Sequence, residues 1–160
     1  MYKKILVPYD GSRPSDRALD HAVDIARMSV RITTRVILLH VIPEYPVATY
    51  LERPARSPKT GEKTTLTQYT REAYELMTKS ATDLLNKKKE EIKEKLDFEI
   101  GVKVSVGHVS NTILEFAKKE KVDLIIIGNI GRSGISKIRA LGSVSRAVSE
   151  KSVCPVMIIH

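Results

Sequence analysis

The feature that most limits the fold of this chain is the alternation of short apolar runs with segments of helical periodicity. Five apolar runs, bounded by turn-forming or charged residues, are predicted to be β-strands at 4–9, 35–41, 100–106, 122–127 and 155–159. Such alternation predicts an α/β fold, with a parallel sheet and helices on both faces. The near-continuous apolar character of the runs agrees, because strands of this kind are buried on both sides.

Four helices are predicted between these strands. The first follows 4–9, with Ser12 or Ser15 as its expected N-cap and Pro14 in its first turn. The apolar positions expected to face the core in this helix are Ala18, Leu19, Ala22, Val23 and Ala26. The other helices are expected at about 66–96, 112–120 and 143–150. The face expected on the long second helix is Tyr69, Ala73, Leu76, Ser80, Leu84, Lys88, Ile92 and Leu96.

One domain spanning 1–160 is expected, because the chain has about the length of a single domain and shows no internal repeat. We expect a five-stranded sheet of order 3-2-1-4-5, which right-handed crossovers allow. Residues 43–63 hold four of the seven prolines and are expected to be irregular. They form either a surface excursion or a lid over a site.

Charge and composition limit the possible partners. The formal net charge of +8 favours an anionic ligand. Acidic residues are interleaved with the basic ones, as at 87–95, which is typical of a solvated helix face rather than of a nucleic-acid surface. No signal-peptide pattern or membrane-span-length apolar run is found, and Cys154 is the only cysteine, which excludes a disulfide framework. We expect a cytoplasmic protein with no nucleic-acid or membrane partner.

Glycines cluster after the fourth predicted strand. Half of the eight glycines lie within residues 125–143. Gly128 and Gly131 are expected to border a ligand, because glycine lets the backbone turn sharply and approach a ligand closely. A plain turn is the alternative explanation for the same residues.

A helix predicted to begin at Gly142–Ser143 supplies the second part of a possible anion site. Its first N–H groups have no partner within the helix, and its dipole is positive at this end. Ser143 and Ser145 can donate hydroxyl hydrogen bonds to the same anion, and Arg132 would add a positive charge. These residues predict a phosphate-binding site, although Gly-Ser at a helix start can also be only a cap.

A second loop is expected to face the same ligand. "PYDGS" (8–12) follows the first strand, and strands one and four are neighbours where the predicted strand order reverses. Ligands bind at this reversal in open α/β sheets, so Asp10 is available to a ribose hydroxyl or a metal ion. The glycine spacing matches neither the Rossmann fingerprint nor the Walker A loop.

These segments resemble the universal stress protein family over essentially the whole chain, from "KILVPYDGS" to "CPVMII". The most specific part is G-x2-G followed at a distance by Gly-Ser, which in the nucleotide-binding branch of the family holds ATP. The resemblance implies a Rossmann-like fold of the adenine-nucleotide hydrolase-like type. It implies a site for ATP, or for ADP or AMP, with Mg²⁺ or Mn²⁺ on the phosphates. The nucleotide-binding residues expected on this basis are Pro8, Asp10, Val41, Gly128, Gly131, Arg132, Gly142, Ser143, Val144 and Ser145.

Two positions depart from the family pattern. Ten residues separate Gly131 from Gly142, where the family has nine. The extra residue is either absorbed as a bulge in the turn 135–141 or moves the Gly142 amide away from the phosphates. The loop 107–110 reads "GHVS", where the family often has an acidic residue and proline, and it is expected to lie further from the site.

Three functional hypotheses follow. The first is an ATP-binding regulatory protein of the stress response, with slow ATP hydrolysis at most. The second is a dimeric interaction module that binds no nucleotide. The third, an enzyme of the hydrolase-like superfamily, ranks last, because such an enzyme would carry a Ser-Gly-Gly loop where this chain has "PYDGS". The four histidines show no metal-ligand spacing, and His40, at a strand end, is the best candidate among them.

The last strand, 155–159, is expected at an edge of the sheet. An apolar edge presents unpaired N–H and C=O groups, which proteins usually cover. Antiparallel pairing with the same strand of a second copy would satisfy them in a two-fold interface, and the family resemblance implies the same contact. We therefore expect a homodimer.

Overall fold

All five predicted strands and all four predicted helices are present. The computed structural model describes residues 2–28, 33–45, 54–93, 98–131 and 141–160. Its elements are β1 (Lys4–Pro8), α1 (Arg13–Arg27), β2 (Arg35–Pro43), β3 (Pro54–Arg56), β4 (Lys63–Thr65), α2 (Leu66–Lys93), β5 (Ile100–Gly107), α3 (Val109–Lys119), β6 (Leu124–Gly128), α4 (Ser143–Lys151) and β7 (Val156–Ile159). No helix among these residues is long and apolar enough to cross a bilayer.

The main sheet has five parallel strands in the order β5-β2-β1-β6-β7, which confirms the predicted order 3-2-1-4-5. Successive side chains of a strand point to opposite faces, so β1 contributes to two cores. Ile5 and Val7 pack on the side of α1 and α2, whereas Leu6 packs on the side of α3 and α4. The sheet is therefore covered by helices on both faces, as the alternation of elements predicts.

Helix α1 begins as its sequence predicts. Ser12 is the N-cap, and its Oγ accepts a hydrogen bond of 3.3 Å from the N–H of Ser15. Pro14 lies in the first turn, where a missing N–H costs nothing. All five positions predicted to form its apolar stripe are buried.

The predicted stripe of α2 is wrong in its first half. Among the described residues of α2, only Ala81 and Leu85 are fully buried, while Tyr69 and Leu76 are each 40% exposed. A helix of 28 residues is about 42 Å long, whereas the eight residues of β5 span only about 27 Å. The first half of α2 therefore extends past the sheet and packs on β3 and β4 instead. Leu96 lies outside the described residues.

Residues 43–63 are not irregular throughout, contrary to expectation. β2 continues to Pro43, and Pro54–Arg56 pairs antiparallel with Lys63–Thr65. The turn between these two strands is closed by Ser57, whose Oγ accepts from the N–H groups of Lys59 and Thr60 and contacts Glu72 on α2. Residues 46–53 lie outside the described part of the chain.

Candidate functional site

A cavity of about 290 Å³ lies at the carboxyl ends of β1, β2 and β6. Pairing between β1 and β6 is confined to Ile5↔Leu124 and Leu6↔Ile125, and the two strands separate beyond these residues. The cavity thus occupies the point where the strand order reverses, as expected. Its lining includes nine of the ten predicted site residues: Pro8, Asp10, Val41, Gly128, Gly131, Gly142, Ser143, Val144 and Ser145. The tenth, Arg132, lies outside the described residues.

The loop after β1 holds its carboxylate toward the glycine loop. Asp10 Oδ1 accepts a hydrogen bond of 3.0 Å from the N–H of Ser12, which closes the turn before α1. Gly11 in this turn has φ +78°, a conformation that favours glycine. The other oxygen, Oδ2, lies 3.0 Å from where a Cβ on Gly131 would be. Asp10 and Gly131 are therefore neighbours across the cavity.

Gly142 and Gly131 both line the cavity, although ten residues separate the two. Gly142 is the N-cap of α4 and has no side chain to accept from the helix N–H groups. The first turn of α4 contains no acidic residue. Its free N–H groups and the positive end of the helix dipole therefore border the cavity at Ser143 and Val144.

Asn129 fixes the start of α4 against the sheet. Its backbone oxygen accepts from the N–H of Gly142 (2.8 Å) and from the hydroxyl of Ser145 (2.7 Å). Its own N–H donates to the oxygen of Ile159 at the end of β7 (2.7 Å). The hydroxyl of Ser145, predicted to donate to an anion, is engaged in this contact. A role for Ser145 in anion binding would therefore rest on its backbone N–H.

Gly128 has a structural reason to be glycine besides any ligand. A Cβ at this position would lie 2.6 Å from the Cβ of Pro14 and 2.8 Å from its carbonyl carbon. Real Cβ atoms do not approach so closely, so the first turn of α1 packs here only because β6 ends in glycine. Within the described residues, the left-handed glycines are Gly11, Gly61 and Gly107, so Gly128 is needed for close approach and not for a special φ.

Val41 presents its backbone to the gap between β1 and β2. In a parallel sheet the N–H and C=O groups of successive residues point alternately to the two neighbouring strands. Leu39 points toward β1, since its oxygen accepts from the N–H of Tyr9 (2.9 Å). Val41, two residues further on, points the same way, but the pairing of the two strands ends at Pro8↔Leu39.

Apolar side chains of the cavity wall were missed by the sequence analysis. The cavity is also lined by Leu39, Val109, Ile113, Ile127 and Ile130. Val109 corrects the expectation that loop 107–110 lies further from the site. α3 begins at Val109, within this segment and two residues after β5 ends at Gly107, so a short connection brings the start of α3 to the cavity. A predicted helix start only two residues after the strand end is the sequence signal that could have placed Val109 at the cavity.

The acidic chemistry of the cavity centres on Asp10, the one carboxylate among its described lining residues. No cluster of three or more metal-ligating side chains occurs in the part of the chain that the structure describes. Behind the cavity, the hydroxyl of Tyr9 donates to Asp16 Oδ1 (2.7 Å), which also contacts Lys88 Nζ (3.1 Å). Burial, followed by the hydrogen bond to Asp16, raises the pKa of the Tyr9 phenol.

Comparisons with known proteins agree with this architecture. The sequence profile of the universal stress protein family matches residues 1–160. The universal stress protein YxiE of Bacillus subtilis is 34% identical over 164 residues, with 100% of each chain covered. The solved structure of MJ0577 from Methanocaldococcus jannaschii is similar with a TM-score of 0.79 and 30% identity, covering 99% of this chain and 96% of that one. A universal stress protein solved in complex with cAMP has a TM-score of 0.64 and 26% identity, covering 99% and 97%.

Proposed function

Because the chain belongs to the universal stress protein family, we propose that it is a nucleotide-binding regulatory protein of the stress response that acts in the cytoplasm. Its ligand is an adenine nucleotide, ATP or its products ADP and AMP, bound in the cavity at the carboxyl ends of β1, β2 and β6. The observation that carries the proposal is the start of α4, which borders this cavity without a side-chain cap. The structural relative in complex with cAMP supports the ligand class.

The two ends of the cavity suit the two ends of a nucleotide. At one end, the N–H groups of Ser143 and Val144 and the dipole of α4 attract phosphate oxygens. At the other end, the backbone of Val41 can donate to and accept from a base, and Val109 and Ile113 supply apolar contacts for its faces.

A divalent cation, Mg²⁺ or Mn²⁺, would take its protein ligand from Asp10. Both ions prefer oxygen ligands, and Mg²⁺ commonly binds through one or two carboxylates together with substrate phosphates. Asp10 fits such a role, because it is the carboxylate of the described cavity wall and lies beside Gly131. The ion would neutralise part of the charge that phosphates bring close to this carboxylate.

Thermal unfolding with three ligands tests the proposal. Mg-ATP at a hundred to a thousand times its Kd should raise the free energy of unfolding by about 3 to 4 kcal/mol. Adenosine, which lacks phosphates, and tripolyphosphate, which lacks the base, are the controls and should each stabilise less. No shift with millimolar Mg-ATP would contradict the proposal and favour an interaction module that binds no nucleotide.

The proposal includes a homodimer formed through β7. β7 is a terminal strand of the five-stranded sheet, and Met157 on it is 37% exposed. Antiparallel pairing of β7 with its copy would satisfy the backbone groups on its outer side. Light scattering should therefore give twice the chain mass of 17.9 kDa, and Met157→Pro should shift the protein toward monomer. A clean monomer at about 100 µM would contradict the dimer, since association depends on protomer concentration.

A further inference from the structure

The side chain of His40, at the carboxyl end of β2, makes a hydrogen bond that a backbone N–H would make in a regular sheet. The N–H of Tyr9 donates to the oxygen of Leu39 (2.9 Å). In a continued parallel ladder, the oxygen of Tyr9 would next accept from the N–H of Val41. Instead, Nδ1 of His40 lies 2.8 Å from this oxygen. A carbonyl oxygen can only accept, so Nδ1 carries the proton in this contact.

The direction of the chain explains why a side chain can reach this oxygen. His40 alternates with Leu39 and Val41, so it points to the same face of the sheet as Leu38, which packs in the core beneath α1 and α2. After Pro8 the chain continues into α1, and Tyr9 packs with α1 in the core on that same face. The backbone oxygen of Tyr9 therefore lies on this face, within hydrogen-bond distance of the imidazole of His40.

We propose that His40 is a positioning residue that keeps the N–H of Val41 available to the base of the nucleotide. By donating to Tyr9, Nδ1 of His40 satisfies the oxygen that would otherwise accept from Val41. The N–H and C=O of Val41 then face the cavity together, a donor beside an acceptor. This pair matches N1 and the N6 amino group of adenine, and it mismatches hypoxanthine, whose N1–H and O6 have the opposite polarity. The inference rests on the proposed function and deepens it.

Two substitutions of His40 distinguish the roles of the two imidazole nitrogens. The amide nitrogen of asparagine lies at the same distance along the side chain as Nδ1, and that of glutamine lies at the distance of Nε2. His40→Asn therefore keeps the donor to Tyr9, whereas His40→Gln removes it. His40→Ala is a second variant without the donor, should His40→Gln fail to fold. Far-UV circular dichroism and thermal unfolding check that each variant is folded.

The first measurement needs no ligand. Amide hydrogen exchange is followed at Val41 by NMR in the nucleotide-free protein. We expect exchange at this amide to be about tenfold slower in His40→Gln than in the wild type, because the N–H of Val41 then bonds to Tyr9. In His40→Asn it should exchange as in the wild type. Equal exchange in the two variants would overturn the positioning role, whether or not the protein binds nucleotide.

The second measurement compares Mg-ATP with Mg-ITP by calorimetry. The wild type and His40→Asn should prefer ATP, whereas His40→Gln should lose about tenfold in ATP affinity, with little change for ITP. If His40→Asn loses affinity and His40→Gln keeps it, Nε2 contacts the ligand directly and the positioning role is overturned. Wild-type protein that binds neither nucleotide would contradict the proposed function, and the exchange measurement would still decide what His40 does in the sheet.

Discussion

Two helices begin at the same cavity, and their first turns are built in opposite ways. α1 starts with Ser12 as a side-chain cap, has Asp16 in its first turn and packs Pro14 against Gly128. α4 starts with Gly142, which cannot cap, and has no acidic residue in its first turn. The N–H of Ser15 in the first turn of α1 donates to the side chain of Ser12, whereas no side chain caps the first N–H groups of α4. Only the second arrangement suits an anion, although both helices point a positive dipole end at the cavity.

The largest expected effect comes from the contact that closes the start of α1. Gly128→Ala places a methyl group 2.6 Å from Pro14 Cβ and 2.8 Å from the carbonyl carbon of the same residue. We expect the free energy of unfolding to fall by about 2 to 4 kcal/mol, measured by chemical denaturation. Gly131→Ala is the matched control, because among the residues that the structure describes its Cβ would meet only the side chain of Asp10, at 3.0 Å. Equal stability of the two variants would show that Gly128 is not a packing residue.

The second largest effect is expected on ligand affinity, when α4 is given a side-chain N-cap. The carboxylate of Gly142→Asp would accept from the first N–H groups of α4 and occupy the place of a phosphate. We expect Mg-ATP affinity to fall more than about tenfold with no loss of stability. Gly142→Ala brings the same Cβ 3.2 Å from the oxygen of Asn129 and lacks the carboxylate, so it should keep most of the affinity. Similar affinities in both variants would argue against phosphate binding at α4.

The converse substitution removes the cap of α1. Ser12→Ala deletes the oxygen that accepts from the N–H of Ser15 at 3.3 Å. Loss of an N-cap costs about 1 kcal/mol of stability, which denaturant unfolding can resolve. Mg-ATP affinity should stay within a factor of about two, because no phosphate is assigned to this helix end. A large fall in affinity at full stability would place the anion at α1 instead.

The smallest effect concerns Tyr9, whose hydroxyl donates to Asp16 in the first turn of α1. Burial and this hydrogen bond raise the pKa of the phenol above its ordinary value of about 10. The contribution of Tyr9 to stability is therefore complete below about pH 10 and is lost as the pH rises through the higher pKa of the folded protein. Tyr9→Phe should cost about 1 kcal/mol at neutral pH and should flatten the loss of stability above pH 10. If the stability of the wild type and of Tyr9→Phe fell in parallel above pH 10, the stabilising role of the Tyr9 hydroxyl would be contradicted.

Features that depend on residues close in sequence were predicted, whereas features that depend on contacts between elements were not. The five strands of the main sheet and the apolar stripe of α1 depend on neighbouring residues and were predicted correctly, and Ser12 was one of the two predicted caps of α1. The β3–β4 hairpin depends on the contact of Ser57 with Glu72 on α2, which no local pattern shows. The exposed first half of α2 follows from the difference in length between α2 and β5, which no local pattern shows.

The candidate site shows the same division. Its glycines and Asp10 follow two predicted strands and were placed at one edge of the sheet, where the structure has them. The contact of Gly128 with Pro14 and the bond of His40 to Tyr9 join different elements and could not be derived from spacing. Loop 107–110 was expected further from the site because α3 was predicted to begin at 112, whereas it begins at Val109.

We propose that α4, and not α1, offers its first N–H groups to an anion. This proposal is tested most directly by NMR chemical-shift mapping of backbone amides during titration with Mg-ATP, with adenosine as the control. We expect large shifts at Ser143 and Val144 with Mg-ATP that are absent with adenosine, and small shifts at Arg13 and Ser15 with either ligand. Phosphate-dependent shifts at the start of α1, with none at the start of α4, would contradict it.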